Sequence, residues 1–449
     1  MSRPGRYDVL VLGGGTAGCV LAARLSEDPG TSVCLVEAGP DYGPRDGGRW
    51  PAEMLDARIL PLASHAWEKL DPDDRSQSRA RIIGGCSSHN ACVVLEGTPE
   101  DYDEWGPGWR YAEIAPYLDR AGRALGTRTF APEELSPWHA AFAEAAGEDA
   151  IIHPVNADGA VRLNAAFAYL DPARGRPNLT ILGDTVADRV LLDGDRATGA
   201  LTSAGEIRAG VVVLASGAYG SPGVLLRSGI GPEQGLPVGQ NLIDHVGVGI
   251  GWVATDRLQE ETARFEARHP AFMGQVSVRG RSSICEEGTW DTFLFPALDP
   301  GYVISAAVFS MKPRSTGRVG LSGPEPEAPL AIDHGFFSDP SDVDVVTEAF
   351  EAIRELARSG PVAPYAAREH HPGAEVGARE HVLAAHRGFF HPVGTCAIGS
   401  VVDEAGRVHG IEGLRVADAS VMPTIPRVNT NLSTAAVAER VAELVLADR

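Results

Sequence analysis

Lysine is almost missing from this chain of 449 residues: Lys69 and Lys312 stand alone, and arginine supplies the rest of the 39 basic residues. Against them stand 60 acidic residues, for a formal net charge of -21. A chain so short of positive charge is excluded from general binding to nucleic acid or anionic membranes, although it would tolerate a cationic small molecule. Long apolar runs are missing too. No stretch of about 18 apolar residues occurs, so no membrane-spanning helix is expected. A signal-peptide pattern is absent, because the charged start runs straight into an apolar strand and a Gly-rich turn. The expectation is a soluble, cytoplasmic protein. Cysteine is sparse: Cys19, Cys34, Cys86, Cys92, Cys285 and Cys396 include no CxxC pair, which excludes a zinc framework and a disulfide scaffold and fits a reducing compartment. Internal repeats and low-complexity segments are absent. His370-His371 and Asp333-His334 lack metal-ligand spacing with any partner, so no metal is expected.

What is present is an ordinary globular composition, 44% hydrophobic and 22% charged, over a length that suits two or three domains. Tyr7-Asp8-Val9-Leu10-Val11-Leu12 is a near-continuous apolar run, as a strand buried in a parallel sheet requires. A glycine turn, a helix from Cys19 to Leu25 and a second strand over 32–37 complete one βαβ unit. Further strands are expected at Val211-Val212-Val213-Leu214 and over 413–418, and an amphipathic helix over 433–447. Between these, 105–165 and 246–385 alternate polar and apolar residues and carry many Pro and Gly. Residues 303–310 and 318–321 read as antiparallel strands, and 343–358 as a helix. The pattern predicts a discontinuous nucleotide-binding domain over 1–104, 166–245 and 386–449. A second domain is inserted as 105–165 and 246–385.

The turn after the first strand is Gly13-x-Gly15-x-x-Gly18, and Glu37 stands 19 residues beyond Gly18. In this setting the first glycine permits a tight turn, the second lets backbone approach a pyrophosphate, and the third lets helix and strand pack closely. The pyrophosphate rests on the helix N-terminus. Glu37 suits a ribose 2′-OH rather than a 2′-phosphate. The motif alone leaves FAD and NAD both open; its N-terminal place and Val36-Glu37-Ala38-Gly39-Pro40 lean towards FAD.

Several motifs then occur in a fixed order: Arg81-Ile82-Ile83-Gly84-Gly85-Cys86-Ser87-Ser88-His89-Asn90-Ala91-Cys92, Thr98-Pro99-Glu100-Asp101-Tyr102-Asp103-Glu104-Trp105, Ala218-Tyr219-Gly220-Ser221-Pro222 and Ser228-Gly229-Ile230-Gly231-Pro232. Val238-Gly239-Gln240-Asn241-Leu242-Ile243-Asp244-His245, His391-Pro392-Val393-Gly394-Thr395-Cys396 and Asn429-Thr430-Asn431 follow. In this order the chain resembles the glucose-methanol-choline (GMC) oxidoreductase family. The resemblance implies an α/β fold: a Rossmann-type FAD-binding domain, discontinuous in sequence, with an inserted α+β substrate domain on an antiparallel sheet. It implies oxidation of an alcohol, a primary one to the aldehyde, by hydride transfer to flavin N5, with oxygen or another electron acceptor reoxidising the flavin. A flavin-retaining lyase of the hydroxynitrile-lyase type is the alternative within the family. The chain departs from the family by being short after Gly231-Pro232 and over 105–165, which puts the size of the substrate pocket in question.

Oxidising an alcohol this way needs a base for the hydroxyl proton and a group to hold the oxygen. Histidine suits the first task. By the resemblance, His391 is the catalytic histidine, and Asn431 fills the second position, held by His or Asn in relatives. Read without it, His391 is a packed core histidine and Asn431 a helix N-cap. Gly84 and Gly85 let the loop before His89 and Asn90 approach a flavin ring. The resemblance to the choline oxidase branch implies a covalent bond from His89 to the flavin 8α-methyl carbon; a noncovalent polar contact is the other reading. Ala91 replaces a serine of that branch and loosens the tie to choline. Asp418 is expected at the flavin ribitol or pyrophosphate and Val186 over the adenine. Asp244-His245 is open between a structural and a cofactor role, and Arg79 and Arg81 are left unassigned. The net charge and the local match raise a cationic substrate, an amino alcohol or amino sugar, beside a neutral aliphatic, aromatic or sugar alcohol; Ala91, the shortened substrate domain and the role of net charge in solubility favour the neutral one.

Overall fold

The computed structural model describes residues 5–67, 78–325 and 328–449. The first strand, Tyr7–Leu12, lies parallel between Val33–Val36 and the second half of Gly205–Leu214. Leu179–Leu182 extends the sheet on one side and Leu414–Val416 on the other, again in parallel. Val33–Val36 is buried at every residue, as helices on both faces of a parallel sheet demand.

Gly205–Leu214 is longer than the expected strand. Its first half turns away and pairs antiparallel with Arg196–Thr202, which pairs in turn with Ala187–Asp193. Ile207 and Ala209 are buried there while Glu206 and Arg208 are exposed. That half-polar alternation hid the segment beside the apolar run that follows it.

The helix Thr16–Leu25 packs on the closing helix Asn431–Ala447. The bidentate Arg24–Glu439 pair, at 2.8 and 2.9 Å, ties them together, and the Tyr169 hydroxyl donates to the same carboxylate at 2.9 Å. The helix Tyr111–Ala124 also lies on the closing helix and buries Ile114, Leu118 and Ala121 in the core of the parallel sheet. Its apolar stripe therefore joins the nucleotide-binding side, although 105–165 was expected wholly with the substrate sheet. Ala150–Ile152, from the same stretch, does pair with the second sheet.

The second sheet is antiparallel, in the order Ala366–His371, Val246–Ala254, Val303–Ser310, Thr292–Asp299, Val276–Gly280, Ala150–Ile152. Its two central strands sort their side chains with a period of two. Leu294, Leu298, Ile304, Ala306 and Val308 face one core, under the helix Ser341–Leu356. Phe293, Phe295, Ala297, Ala307 and Phe309 face another, with Val93, Leu95 and Val428. This second, aromatic face forms one wall of the cavity described next. Among the described residues no helix is long and apolar enough to cross a membrane.

Candidate active site

A cavity of about 540 Å³ runs from the glycine turn to the aromatic face of the antiparallel sheet, the size of a small-molecule site. At one end the turn is built as the fingerprint requires. Gly13 has φ +106°, a conformation that only glycine adopts freely, and a Cβ on Gly18 would lie 1.8 Å from the Gly13 carbonyl oxygen. Glu37 accepts hydrogen bonds from the Gly14 and Gly39 N–H groups at 2.7 and 2.8 Å. Burial raises its carboxyl to about 7, against the pull of these donors and of Arg81. Gly13, Gly15, Glu37 and Val186 all line this end, and Gly18 sits behind it.

The loop 84–90 crosses the middle. Gly85 has φ +53°, and a Cβ there would lie 2.6 Å from the Gly15 Cα, so the two glycine loops touch. Gly85, His89 and Asn90 line the cavity, with Gly84 behind them. His89 is 4% exposed, and its Nδ1 is buried with no partner among the described residues. Burial, with the charges of Arg79 and Arg162, drives its imidazole down to about 3, so the ring is neutral. The Asn90 amide oxygen braces the loop by accepting from the Cys92 N–H at 3.0 Å and from Arg162 at 3.1 Å. Arg162 is fully buried; it also donates to the Met54, Asp56 and Ile59 carbonyls and makes a short contact with the Asn90 carbonyl. Sequence reasoning missed it, because a lone arginine whose partners are backbone carbonyls far along the chain leaves no pattern.

Asp418 lines the cavity and caps the short helix Ala419–Val421. Its carboxylate accepts from the Gly217 N–H at 2.8 Å, the Ser221 hydroxyl at 2.5 Å and the Ser420 N–H at 2.8 Å. Its oxygens are thus engaged inside the protein, and burial raises its pKa.

Asn431 and His391 line the cavity towards its aromatic face. Asn431 is the first residue inside the closing helix, with Thr430 at the N-cap, so it is not the cap of the alternative reading. The Thr16 hydroxyl donates to its Oδ1 at 2.8 Å, while its Nδ2 is buried without a partner among the described residues. The amide is thereby turned with its donor unspent. His391 Nδ1 lies 3.0 Å from His245 Nδ1, and the His391 N–H donates to Asp244 Oδ1 at 2.9 Å. Burial, His245 and Arg79 hold the His391 imidazole well below the ordinary histidine range. Phe390, which precedes His391, has φ +65°, a strained conformation for a bulky residue.

Phe293, Phe295, Phe389 and Met273 wall this end. Phe389 stacks on Phe309 at 3.7 Å and lies 4.6 Å from the His391 ring. Among the described lining residues the carboxylates are Glu37 and Asp418 alone, both engaged elsewhere. A cationic substrate therefore meets no carboxylate beside the aromatic wall, and Arg79 adds positive charge to the lining. Arg81 donates to the Ala38 carbonyl at 3.0 Å, near Glu37.

The residues present fit a flavin dinucleotide. A glycine cradle that a Cβ would fill leads to a ribose-suited carboxylate at one end; His89 Nδ1 in the middle and Asn431 Nδ2 at the other end are buried without partners among the described residues. Comparison with known proteins agrees. Family models described as GMC oxidoreductase match residues 7–247 and 313–438. The chain is 32% identical to 5-(hydroxymethyl)furfural oxidase of Methylovorus sp. (strain MP688), covering 98% of each chain. It is 32% identical to choline oxidase of Arthrobacter globiformis, over 99% of this chain and 95% of the relative. The fold superposes on pyridoxine 4-oxidase from Mesorbium loti with a TM-score of 0.85 at 26% identity, covering 98% of this chain and 99% of the other.

Proposed function

The chain belongs to the GMC oxidoreductase family as an FAD-dependent enzyme acting on alcohol donors, and from that premise we propose that it oxidises a neutral aromatic primary alcohol to the aldehyde, with His391 as base and Asn431 as oxygen-binding donor. The observation that carries this reading is a neutral imidazole and an unspent amide donor on one cavity, beside an aromatic wall with no carboxylate among the described residues. Gly13, Gly15, Glu37 and the loop 84–90 would hold FAD, which would supply a two-electron acceptor for the hydride of the alcohol carbon.

The chain's own residues do the rest. His391 takes the hydroxyl proton, which its neutral state permits. Asn431 Nδ2–H donates to the oxygen as negative charge gathers there. Phe293, Phe295 and Phe389 offer ring faces to a flat substrate and keep water from the reacting oxygen. A quaternary ammonium would find ring faces there but no counter-charge among the described residues. His89, neutral and with a buried ring nitrogen unpartnered among the described residues, supports the covalent link to the flavin. An apolar-walled site for a flat alcohol agrees with relatives named for a furan and a pyridine alcohol.

The test is an anaerobic screen of matched alcohols for loss of the oxidised-flavin absorbance. Benzyl alcohol and 5-(hydroxymethyl)furfural should bleach the flavin faster than choline. Intact flavin with every alcohol would contradict oxidation, and is the result a flavin-retaining lyase would give.

A further inference from the structure

We propose that Asp244 and His245 are a positioning pair that fixes which ring nitrogen of His391 meets the alcohol: His391 keeps its proton on Nδ1 and presents Nε2. This rests on the reading of His391 as the proton acceptor and adds how that acceptor is set.

Pro426, His245 and His391 lie along one line of hydrogen bonds. His245 is fully buried, and its Nε2 lies 3.0 Å from the Pro426 carbonyl oxygen. A carbonyl only accepts, so His245 Nε2 carries a proton. Burial pushes this imidazole down to about 3 despite the pull of the Pro426 carbonyl and, more weakly, of the Met311 backbone, with the charge of Lys312 adding to the fall. At neutral pH it therefore has no second proton, and its Nδ1 is a bare acceptor. That acceptor lies 3.0 Å from His391 Nδ1. Two bare nitrogens at this distance would repel, so the proton between them belongs to His391. His391 is itself neutral, which leaves Nε2 as its lone-pair nitrogen.

The neighbouring Asp244 grips the same residue by its backbone, through Oδ1 and the His391 N–H at 2.9 Å. Adjacent residues thus hold both main chain and ring. The two rings cross at 85°, so rotation of either breaks the bond. The anchor beyond them is firm as well. Pro426 precedes Arg427, whose guanidinium donates to Asp101 at 2.6 Å with both side chains buried, and Lys312 lies 3.2 Å from the same carboxylate. The groups facing His391 are then His245, the carboxyl of Asp244, which burial raises to about 7, the positive charge of Arg79, and the Phe389 ring. None is a carboxylate on Nδ1. The ring is oriented by a neutral acceptor, which sets its direction without raising its basicity before the alcohol binds.

The test reads the tautomer itself. Long-range ¹H–¹⁵N spectra of ¹⁵N-histidine-labelled holoenzyme at neutral pH are assigned by peaks lost in His391→Gln and His245→Asn. His391 should show the Nδ1–H form and His245 the Nε2–H form, both neutral. In His245→Ala the His391 signals should move towards the Nε2–H form, with flavin reduction by benzyl alcohol falling by about 10²-fold and FAD retained. His245→Asn, whose amide oxygen can accept the Nδ1 proton, should restore both. His245→Asp should raise the pH midpoint of the acid limb of flavin reduction, because a carboxylate favours the imidazolium. Nε2–H His391 in the wild type, or an unchanged tautomer in His245→Ala, would overturn the assignment. His391→Ala answers the separate question: undiminished flavin reduction there, with the tautomers as stated, would remove His391 from catalysis while leaving the positioning pair in place.

Discussion

At His89 a single buried nitrogen separates two chemistries. A histidine with a satisfied ring would be packing; this one is neutral, 4% exposed and has no partner on Nδ1 among the described residues. The expected consequence is that FAD stays with the polypeptide after acid precipitation and is released into the supernatant from His89→Ala. A yellow wild-type supernatant would contradict the bond and leave the fold untouched. His391 gives a pH dependence with a definite sign. Its base function needs the neutral ring, and burial, His245 and Arg79 lower its pKa. The rate of flavin reduction should therefore hold on lowering the pH through about 6.5, the ordinary histidine value, and fall only below it; an acid limb centred above that value would contradict the environment described. His391, Asn431, His89 and Glu37 were legible in sequence because each sits in a run whose neighbours are specific. Thr16, which turns Asn431, was not: it acts across 415 residues of chain, and nothing local to Thr16 marks its partner. The same holds for Arg162.

The elements were most legible where one period dominated. Tyr7–Leu12 and Val303–Ser310 have the expected bounds, the first from a near-continuous apolar run and the second from a bounded one. The antiparallel half of Gly205–Leu214 was lost because alternation of Glu206, Ile207, Arg208 and Ala209 beside glycines reads equally as loop. The helix Tyr111–Ala124 carried a clear stripe, Ile114, Leu118 and Ala121, but a stripe does not name the surface it will cover. Two glycines test the packing at this scale with opposite signs. Gly18→Ala puts a Cβ 1.8 Å from the Gly13 carbonyl, so the first helix must back away from its strand. A loss of about 1–3 kcal/mol is expected from such overpacking, with weakened FAD retention. Gly122→Ala, on the helix Tyr111–Ala124 with nothing within 4 Å of the new Cβ, should instead stabilise by about 0.5–1 kcal/mol. Thermal unfolding of the two variants beside the wild type checks both; equal shifts of one sign would contradict the packing described.

Over the whole molecule the charge of -21 is a surface property and does not describe the site. The cavity holds Arg79, and the carboxylates among its described lining residues, Glu37 and Asp418, are engaged at the cofactor end. Specificity should then follow the aromatic wall and not the net charge. Between benzyl alcohol and its para-trimethylammonium derivative, kcat/KM should favour the neutral member at low salt and change little for it as salt rises. A preference for the cation that fades with salt would restore the steering argument. Net charge was legible to the residue, but its distribution was not, because only folding decides which carboxylates are spent on backbone N–H groups. The central claim is that His391 takes the alcohol proton as the carbon–hydrogen bond breaks. Anaerobic stopped-flow reduction of the flavin by benzyl alcohol and its α,α-dideuterated form, in wild type and His391→Ala, tests it most directly. The expected result is a primary isotope effect in the wild type and a fall of about 10²–10⁴-fold in the variant, with FAD still bound. Reduction in His391→Ala within about twofold of the wild type, against the far larger loss that removing a general base brings, would contradict it.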